Sequence, residues 1–425
     1  MIGELVDPVQ QAIEVRNSIL PKDELNRVRS IVEGIISDVR ELGDEALYEY
    51  TMRFDGVDLR DVGLEVSRDE IDMSYNYVDD LFIEALEKCR ERIASLEEVL
   101  LRRVKFEHNV DGQVIIYNDY RAIEKVGCYI PKGVHGYPST VVMACTPAKV
   151  AGVESIYVVT PPKADGSINP SILVASDIVG VDKIYRVGGA QAVAALAFGT
   201  ESVEKVYKIV GPGNFYVAMA KILLYSVVDI DMYAGPTELV VFALDDADVE
   251  KIVFDLMAQQ EHGPNSLVGL VTNSKSLAKK VFDKLGEYSR KYRESRWILR
   301  RGFILYGDVE KCIAFINHLA PEHVRVVGRN SEELIDDIVN VGVLLIGDYT
   351  PSALSDYCLG TNHILPTLGW AKRRSGLSVL DYIRLVRVAS ASKDYLETSY
   401  KYASTVAKRE GFNMHAKSLE VFLNE

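Results

Sequence analysis

Two stretches decide the fold class: Ile184-Tyr-Arg-Val187 running into Gly188-Gly-Ala-Gln191, and Val206-Tyr-Lys-Ile-Val210 running into Gly211-Pro-Gly-Asn214. Each is a short β-branched run stopped by glycine and followed by a helical stretch. Ile156-Tyr-Val-Val-Thr160, ahead of Pro161-Pro162, is an earlier copy of the same unit. Strands that alternate with helices pair in parallel, because the crossover helix carries the chain back to the same end of the sheet. In open sheets of this kind ligands bind beyond the carboxyl ends of the strands. Gln191 and Asn214 stand at two of those ends. Gly211-Pro-Gly-Asn-Phe-Tyr216 has the first two glycines of GxGxxG but Tyr216 at the third. The pattern alone is therefore served equally by a dinucleotide loop and by tight turns, which glycine eases through positive φ.

Outward from this core, a second α/β stretch runs from Leu239 to about Gly347, with strands expected near Leu239 to Ala243, Leu267 to Thr272, Val324 to Val327 and Val343 to Ile346. Residues up to about 105 read as helical. Val28, Ile31, Val32, Ile35, Ile36 and Val39 make one stripe, Ser67 with Glu70 forms a capping box, and a long helix is expected from about Tyr77 to Leu101. From about 378 the chain is charged and helical in pattern, with too few apolar residues for its own core, so it is expected to dock on something else. The fold class is α/β: two Rossmann-like domains with parallel-rich sheets, plus N-terminal helices and a C-terminal helical tail.

The chain has 425 residues, 48% of them hydrophobic, which suits two or three domains. Apolar runs such as Ala192 to Phe198 are far shorter than a membrane span, and the first thirty residues hold Glu4, Asp7, Glu14, Arg16, Lys22 and Asp23 rather than an apolar signal core. A cytoplasmic protein without a membrane partner is expected. The five cysteines form no CxxC pair, so any metal must use nitrogen and oxygen ligands. A net charge of −14 with dispersed bases lacks the footprint of a nucleic-acid binder. A small-molecule substrate is expected.

Ala258-Gln-Gln-Glu-His-Gly-Pro264 closes an amphipathic helix marked by Val249, Ile252, Val253, Leu256 and Met257. Gln259 and His262 are neighbours three residues apart, and Gly263-Pro264 stops the helix beyond them. Taken alone, this segment reads either as a solvated polar helix end or as a pair of metal donors. His323 follows Pro321-Glu322, His363 stands in Gly360-Thr-Asn-His-Ile-Leu-Pro366, and His415 in Glu410-Gly-Phe-Asn-Met-His415. Asp356 follows a Thr350-Pro351 helix start, where a loop can present a carboxylate.

In order along some three hundred residues, Gly127-Cys-Tyr-Ile-Pro131, Tyr137-Pro-Ser-Thr-Val141, Val187 to Glu201, Gly211 to Asn214, Ala234-Gly-Pro236, Gln259 to Pro264, Ala320-Pro-Glu-His323, Gly360 to Pro366 and His415 to Val421 resemble the histidinol dehydrogenase family. The resemblance implies oxidation of L-histidinol through L-histidinaldehyde to L-histidine with two NAD+, by a zinc-containing homodimer. It implies zinc on Gln259, His262, Asp356 and His415, the last from a tail that reaches into the partner subunit. It makes Glu322 and His323 the acid–base pair. His323, near its ordinary imidazole pKa of about 6.5, removes the hydroxyl proton, while Glu322 activates water on the aldehyde. Substrate contacts are implied for Thr237, Gln259, His262, His323, Asp356, Glu410 and His415, and NAD contacts for Tyr129, Gln191 and Asn214.

The division implied is 1–24, an N-terminal helical segment packing on the second Rossmann-like domain; 25–121 plus 238–377, a first domain with the zinc and catalytic residues; 122–237, the second, NAD-binding domain; and 378–425, the exchanged tail. Lys132, His135, Tyr233 and Thr237 depart from the family's usual residues, and Thr237 keeps the hydroxyl of the usual serine. Two rival functions share parts of this pattern: a dehydrogenase of another alcohol, which Gln191, Glu322, His323 and Glu410 oppose, and a zinc hydrolase, which the absence of HExxH opposes.

Overall fold

Uninterrupted apolar runs form the centres of two parallel sheets, because a strand covered by helices on both faces has no solvent side to make polar. In a computed structural model, which describes residues 2–18, 22–133, 135–232 and 235–423, β9 (Glu238–Ala243), β10 (Leu267–Thr272) and β12 (His323–Val327) are buried at every position. With β1 (Ile2–Glu4), β11 (Phe303–Tyr306) and β13 (Val343–Ile346) they make a six-stranded sheet in the order β1-β11-β10-β9-β12-β13, parallel throughout. The repeated strand–loop–helix units form the other sheet. It comprises β4 (Lys125–Tyr129), β5 (Ser155–Val159), β6 (Lys183–Tyr185), β7 (Lys208–Val210) and β8 (Asp229–Ile230), in the parallel order β6-β5-β4-β7-β8. Tyr233 and Ala234 lie outside the described residues.

The packing of the first hundred residues departs from the sequence expectation. The described part of residues 1–24 does not pack on the 122–237 domain: β1 pairs with β11 of the six-stranded sheet, and the Pro8–Asn17 helix lies on the Val309–Leu319 helix. Leu5 and Ala12 are buried there among Phe303, Leu305, Phe315 and Leu319. Conversely, the Lys22–Leu42 and Asp44–Asp55 helices, expected with 238–377, bury Val28, Val32, Ile35, Val39 and Leu47 with Ala192, Leu196, Ile209 and Ala220 of the other domain. The physical reason is the Gly189–Phe198 helix, whose residues 190–197 are all buried, so its outer face needs a cover.

By packing, the chain divides into one unit of residues 1–97 and 123–382 and a second of 98–122 and 383–425. In the second unit, β14 (Ile383–Ala391) runs antiparallel to β3 (Val114–Ala122), which pairs with β2 (Phe106–Val110). The Lys393–Arg409 and Asn413–Leu423 helices pack on each other. The tail, expected from about 378 to be helical in pattern, thus contains a strand of nine residues after the short Val379–Tyr382 3-10 turn.

Candidate active site

A cleft of about 410 Å³ gathers Thr237, Gln259, His262, Glu322, His323 and Asp356, residues drawn from four separate segments. His323 begins β12 with Glu322 just before it, and Thr237 immediately precedes the neighbouring β9, so these groups stand at the amino ends of the strands. The strand-end rule therefore describes the other sheet and not this one. Gln259 lies in the last turn of the Val249–Gln260 helix, which runs back to the amino end of β10, and His262 sits in the turn that follows. Asp356 is presented by the short Ser352–Tyr357 helix rather than by a loop.

Hydrogen bonds fix the working ends of these groups. The Glu322 Oε2 accepts from the Thr237 hydroxyl at 2.7 Å and the Glu238 backbone N–H at 2.8 Å, while its Oε1 has no partner among the described residues. The Gln259 amide nitrogen donates to the Thr237 hydroxyl at 2.5 Å, which turns the amide oxygen away as the free donor atom. His323 Nδ1 lies 3.1 Å from the Glu238 carbonyl, so in the neutral ring that nitrogen carries the proton. Its Nε2 is buried without a hydrogen-bond partner, 3.7 Å from Asp356 Oδ1. Burial works to lower the His323 pKa, but the charges of Glu322 and Asp356 and the bond to the Glu238 carbonyl outweigh it and hold the ring up at about 9. The ring is thus not near its ordinary value, because two carboxylates flank it.

The donor set fits a zinc ion chemically. His262 Nδ1 lies 3.3 Å from the Gln259 carbonyl, which can only accept, so the lone pair is on Nε2, the arrangement of a metal-binding imidazole with an outer partner. With the Gln259 oxygen and the Asp356 carboxylate this gives three nitrogen or oxygen donors on one cleft. Among the described residues, no group of three or more His, Cys, Asp or Glu side chains is close enough to hold a metal by itself. Arg16, given no role in the sequence reading, supports this centre from upstream. Arg16 pairs with Glu238, buried beside Glu322, and its other nitrogen donates to the Leu319 carbonyl at 2.6 Å.

A second cleft, of about 690 Å³, is lined by Tyr129, Gln191 and Asn214 together with Arg53, Phe54 and Asp55. It opens at the start of the Gly189–Phe198 helix, where the preceding Gly188 has no side chain to cap the first turn, Tyr129 takes only the Gly189 N–H, and the Gln191 Oε1 is buried without a partner. Free N–H groups at a helix start suit the pyrophosphate of a dinucleotide. The Tyr129 hydroxyl accepts from Gly189 N–H at 3.1 Å, and burial pushes its pKa up to about 12. Asn214 does double duty. Its side-chain oxygen caps the Phe215–Leu223 helix through Tyr216 and Val217 N–H, and it lines both clefts. Gly211 has φ +112°, and a Cβ there would stand 2.2 Å from the Tyr129 carbonyl, so the turn admits no other residue.

Glu410 and His415 belong to the second unit, Glu410 as the cap ending the Lys393–Arg409 helix and His415 within the next helix beside Phe412. Of the departures, Lys132 pairs with Asp55 at 3.5 Å and the His135 carbonyl accepts from Asn169 at 2.6 Å. His363, in a segment singled out by its sequence but given no role, lines the first cleft. Its Nδ1 lies 2.9 Å from the Asp356 carbonyl, its Nε2 lies 3.2 Å from the Thr140 hydroxyl, and burial lowers its pKa, so it is a neutral brace for Asp356.

A family model described as histidinol dehydrogenase matches residues 20–423. The histidinol dehydrogenase of Methanocaldococcus jannaschii is 41% identical over 421 residues, covering 98% of this chain and 97% of that protein. That of Clostridium acetobutylicum is 43% identical over 397 residues, covering 92% and 91%. The crystal structure of histidinol dehydrogenase from Elizabethkingia anophelis matches with a TM-score of 0.88 at 33% identity, over 95% of this chain and 96% of that one.

Proposed function

The chain belongs to the histidinol dehydrogenase family, NAD-dependent oxidoreductases of histidine biosynthesis, and from that premise we propose how its two clefts oxidise L-histidinol through L-histidinaldehyde to L-histidine. The observation that carries the reading is their junction: Asn214 lines both the cleft with Tyr129 and Gln191 and the cleft with Glu322 and His323. When bound, NAD+ supplies a hydride acceptor at that junction, one equivalent for the alcohol and a second for the hydrated aldehyde.

His323 presents Nε2 to the cleft and removes the hydroxyl proton as hydride leaves the carbinol carbon. Glu322, held by Thr237 and the Glu238 N–H through one oxygen, uses the other to take a proton from the water that adds to the aldehyde. His323 returns its first proton to the aldehyde oxygen as the water adds, and, neutral again, takes the hydrate's proton in the second oxidation, which releases the carboxylate. A zinc ion on Gln259, His262 and Asp356, completed by His415 of a second copy, would orient the substrate's amine and imidazole and offset the pull of Asp356 on His323.

The tail supports a shared site in a homodimer: Tyr402, Val406, Phe412, Met414 and Phe422 are all exposed on the single chain, an apolar surface that needs a partner. Glu410 on the same tail is assigned to the partner's substrate. The compartment proposed is the cytoplasm; among the described residues no helix is long and apolar enough to cross a membrane. The test is stoichiometric. Purified protein given limiting L-histidinol with excess NAD+ should form two NADH per histidinol, and a yield of one, or none, rejects the four-electron reading.

A further inference from the structure

Beneath the first cleft lies a buried polar cluster that the proposed chemistry does not use. The Asp255 Oδ2 pairs with Arg325 Nη1 at 2.8 Å, and its Oδ1 accepts from both the backbone N–H and the hydroxyl of Ser352, at 2.9 and 2.6 Å. Arg325 Nη2 also reaches the Asp348 carbonyl at 3.4 Å. The side chains of Asp255 and Arg325 are each 2% exposed, and Ser352 is fully buried.

The three positions are not arbitrary. Asp255 stands one helical turn before Gln259 and two before His262; Ser352 stands one turn before Asp356; Arg325 stands two residues after His323 on β12. Helices repeat about every 3.6 residues and strands every two, so each member of the cluster lies on the same side of its element as a site residue. The cluster repeats the site one step deeper.

The Ser352–Tyr357 helix most needs such support. It has six residues, and its preceding Pro351 gives no side-chain cap. A helix this short does not hold itself. Asp255, reaching across from another helix, satisfies its first N–H. Apolar residues of the same volume stabilise a core as well as a buried ion pair does, so what the pair adds is a fixed direction. We propose that Asp255, Arg325 and Ser352 are positioning residues, which set the separation of Asp356 from Gln259 and His262 and hold His323 between them. The proposal rests on the reading of those residues as a metal site.

Ser352→Ala tests it while leaving the Asp255–Arg325 pair intact, with Ser352→Thr as the conservative variant. Ser176→Ala, which removes another buried serine bond, to the Ile172 carbonyl at 2.8 Å in the other domain, is the control. Two measurements are made on each: amide hydrogen exchange of the metal-free protein over residues 353–358, and zinc affinity by competition with a chromophoric chelator. Ser352→Ala should speed exchange in that segment and weaken zinc by about tenfold, with Ser352→Thr recovering most of both and Ser176→Ala moving neither. Unchanged exchange over 353–358 overturns the clamp whatever the metal does. Faster exchange with wild-type zinc affinity, in a protein whose His262→Ala variant has lost zinc, overturns the positioning role. If His262→Ala itself retains zinc, the metal-ligand reading fails instead, and the exchange result still decides the clamp.

Discussion

Glu97 takes no part in the site, and it shows what burial does to a lone carboxylate. It is 3% exposed, and its carboxylate accepts the Val379 N–H at 2.7 Å. Burial pushes its pKa up to about 7; the Val379 bond opposes this, and Asp381 nearby adds to it. A folded value above the ordinary one means that its contribution to stability is fully present below about 4.5 and is lost as pH rises through about 7. Glu97→Gln keeps an acceptor and removes the charge. Between pH 4.5 and 8 the wild type should therefore lose about 3 kcal/mol of unfolding free energy relative to the variant, measured by urea denaturation. Parallel pH profiles would refute it. At the site, His323→Asn should slow both half-reactions by roughly 10²–10⁴-fold. Glu322→Gln should slow aldehyde oxidation by a similar factor and histidinol oxidation far less; equal losses in separate assays reject the division of labour. His262→Ala and Asp356→Ala should fold and yet lose tightly bound zinc, which metal analysis reads directly.

Among the elements, the loop into the Gly189–Phe198 helix is the most constrained. A Cβ on Gly188 would stand 2.2 Å from Pro161 Cγ, although the backbone there is extended and suits any residue. Gly188→Ala should therefore cost about 1–3 kcal/mol by overpacking and weaken NADH binding by shifting the helix start. Melting and fluorescence titration measure the two, and unchanged values for both would show that the loop yields freely. The same elements explain what the sequence disclosed. In the two parallel sheets β5, β6, β7, β9, β10, β12 and β13 were legible because burial writes them as short apolar runs, whereas β1, β4, β8 and β11 carried no expectation of their own. β2 and β14 were not legible, because most of their positions are exposed and neither alternation nor an apolar run marks them. Gln259, His262, Glu322, His323 and Asp356 could be named through the family resemblance. The Asp255–Ser352 bond could not, since its partners stand 97 residues apart and each reads as an ordinary polar residue.

For the whole molecule, the shared site is the proposal with the sharpest test. Glu410 and His415 sit in a unit whose exposed Tyr402, Phe412 and Met414 ask for a second surface. If His415 serves the partner, mixing His262→Ala with His415→Ala subunits under exchanging conditions gives heterodimers with one doubly damaged and one intact site. Activity should recover to about a quarter of wild type, since about half the dimers are mixed. Single-mutant activity after demonstrated exchange would show that the tail serves its own subunit. The pairing of β1 with β11 bears on the order of assembly. Ile2 lies beside Ile304, so β1 waits for a strand about 300 residues later in the chain before it finds its neighbour. The sheet that ends at Ile230, with the helices that cover it, can close while the rest is still being made. The cleft domain cannot, and during that interval β1 is an unpaired strand. Its three-residue length keeps that waiting edge too short to recruit another chain.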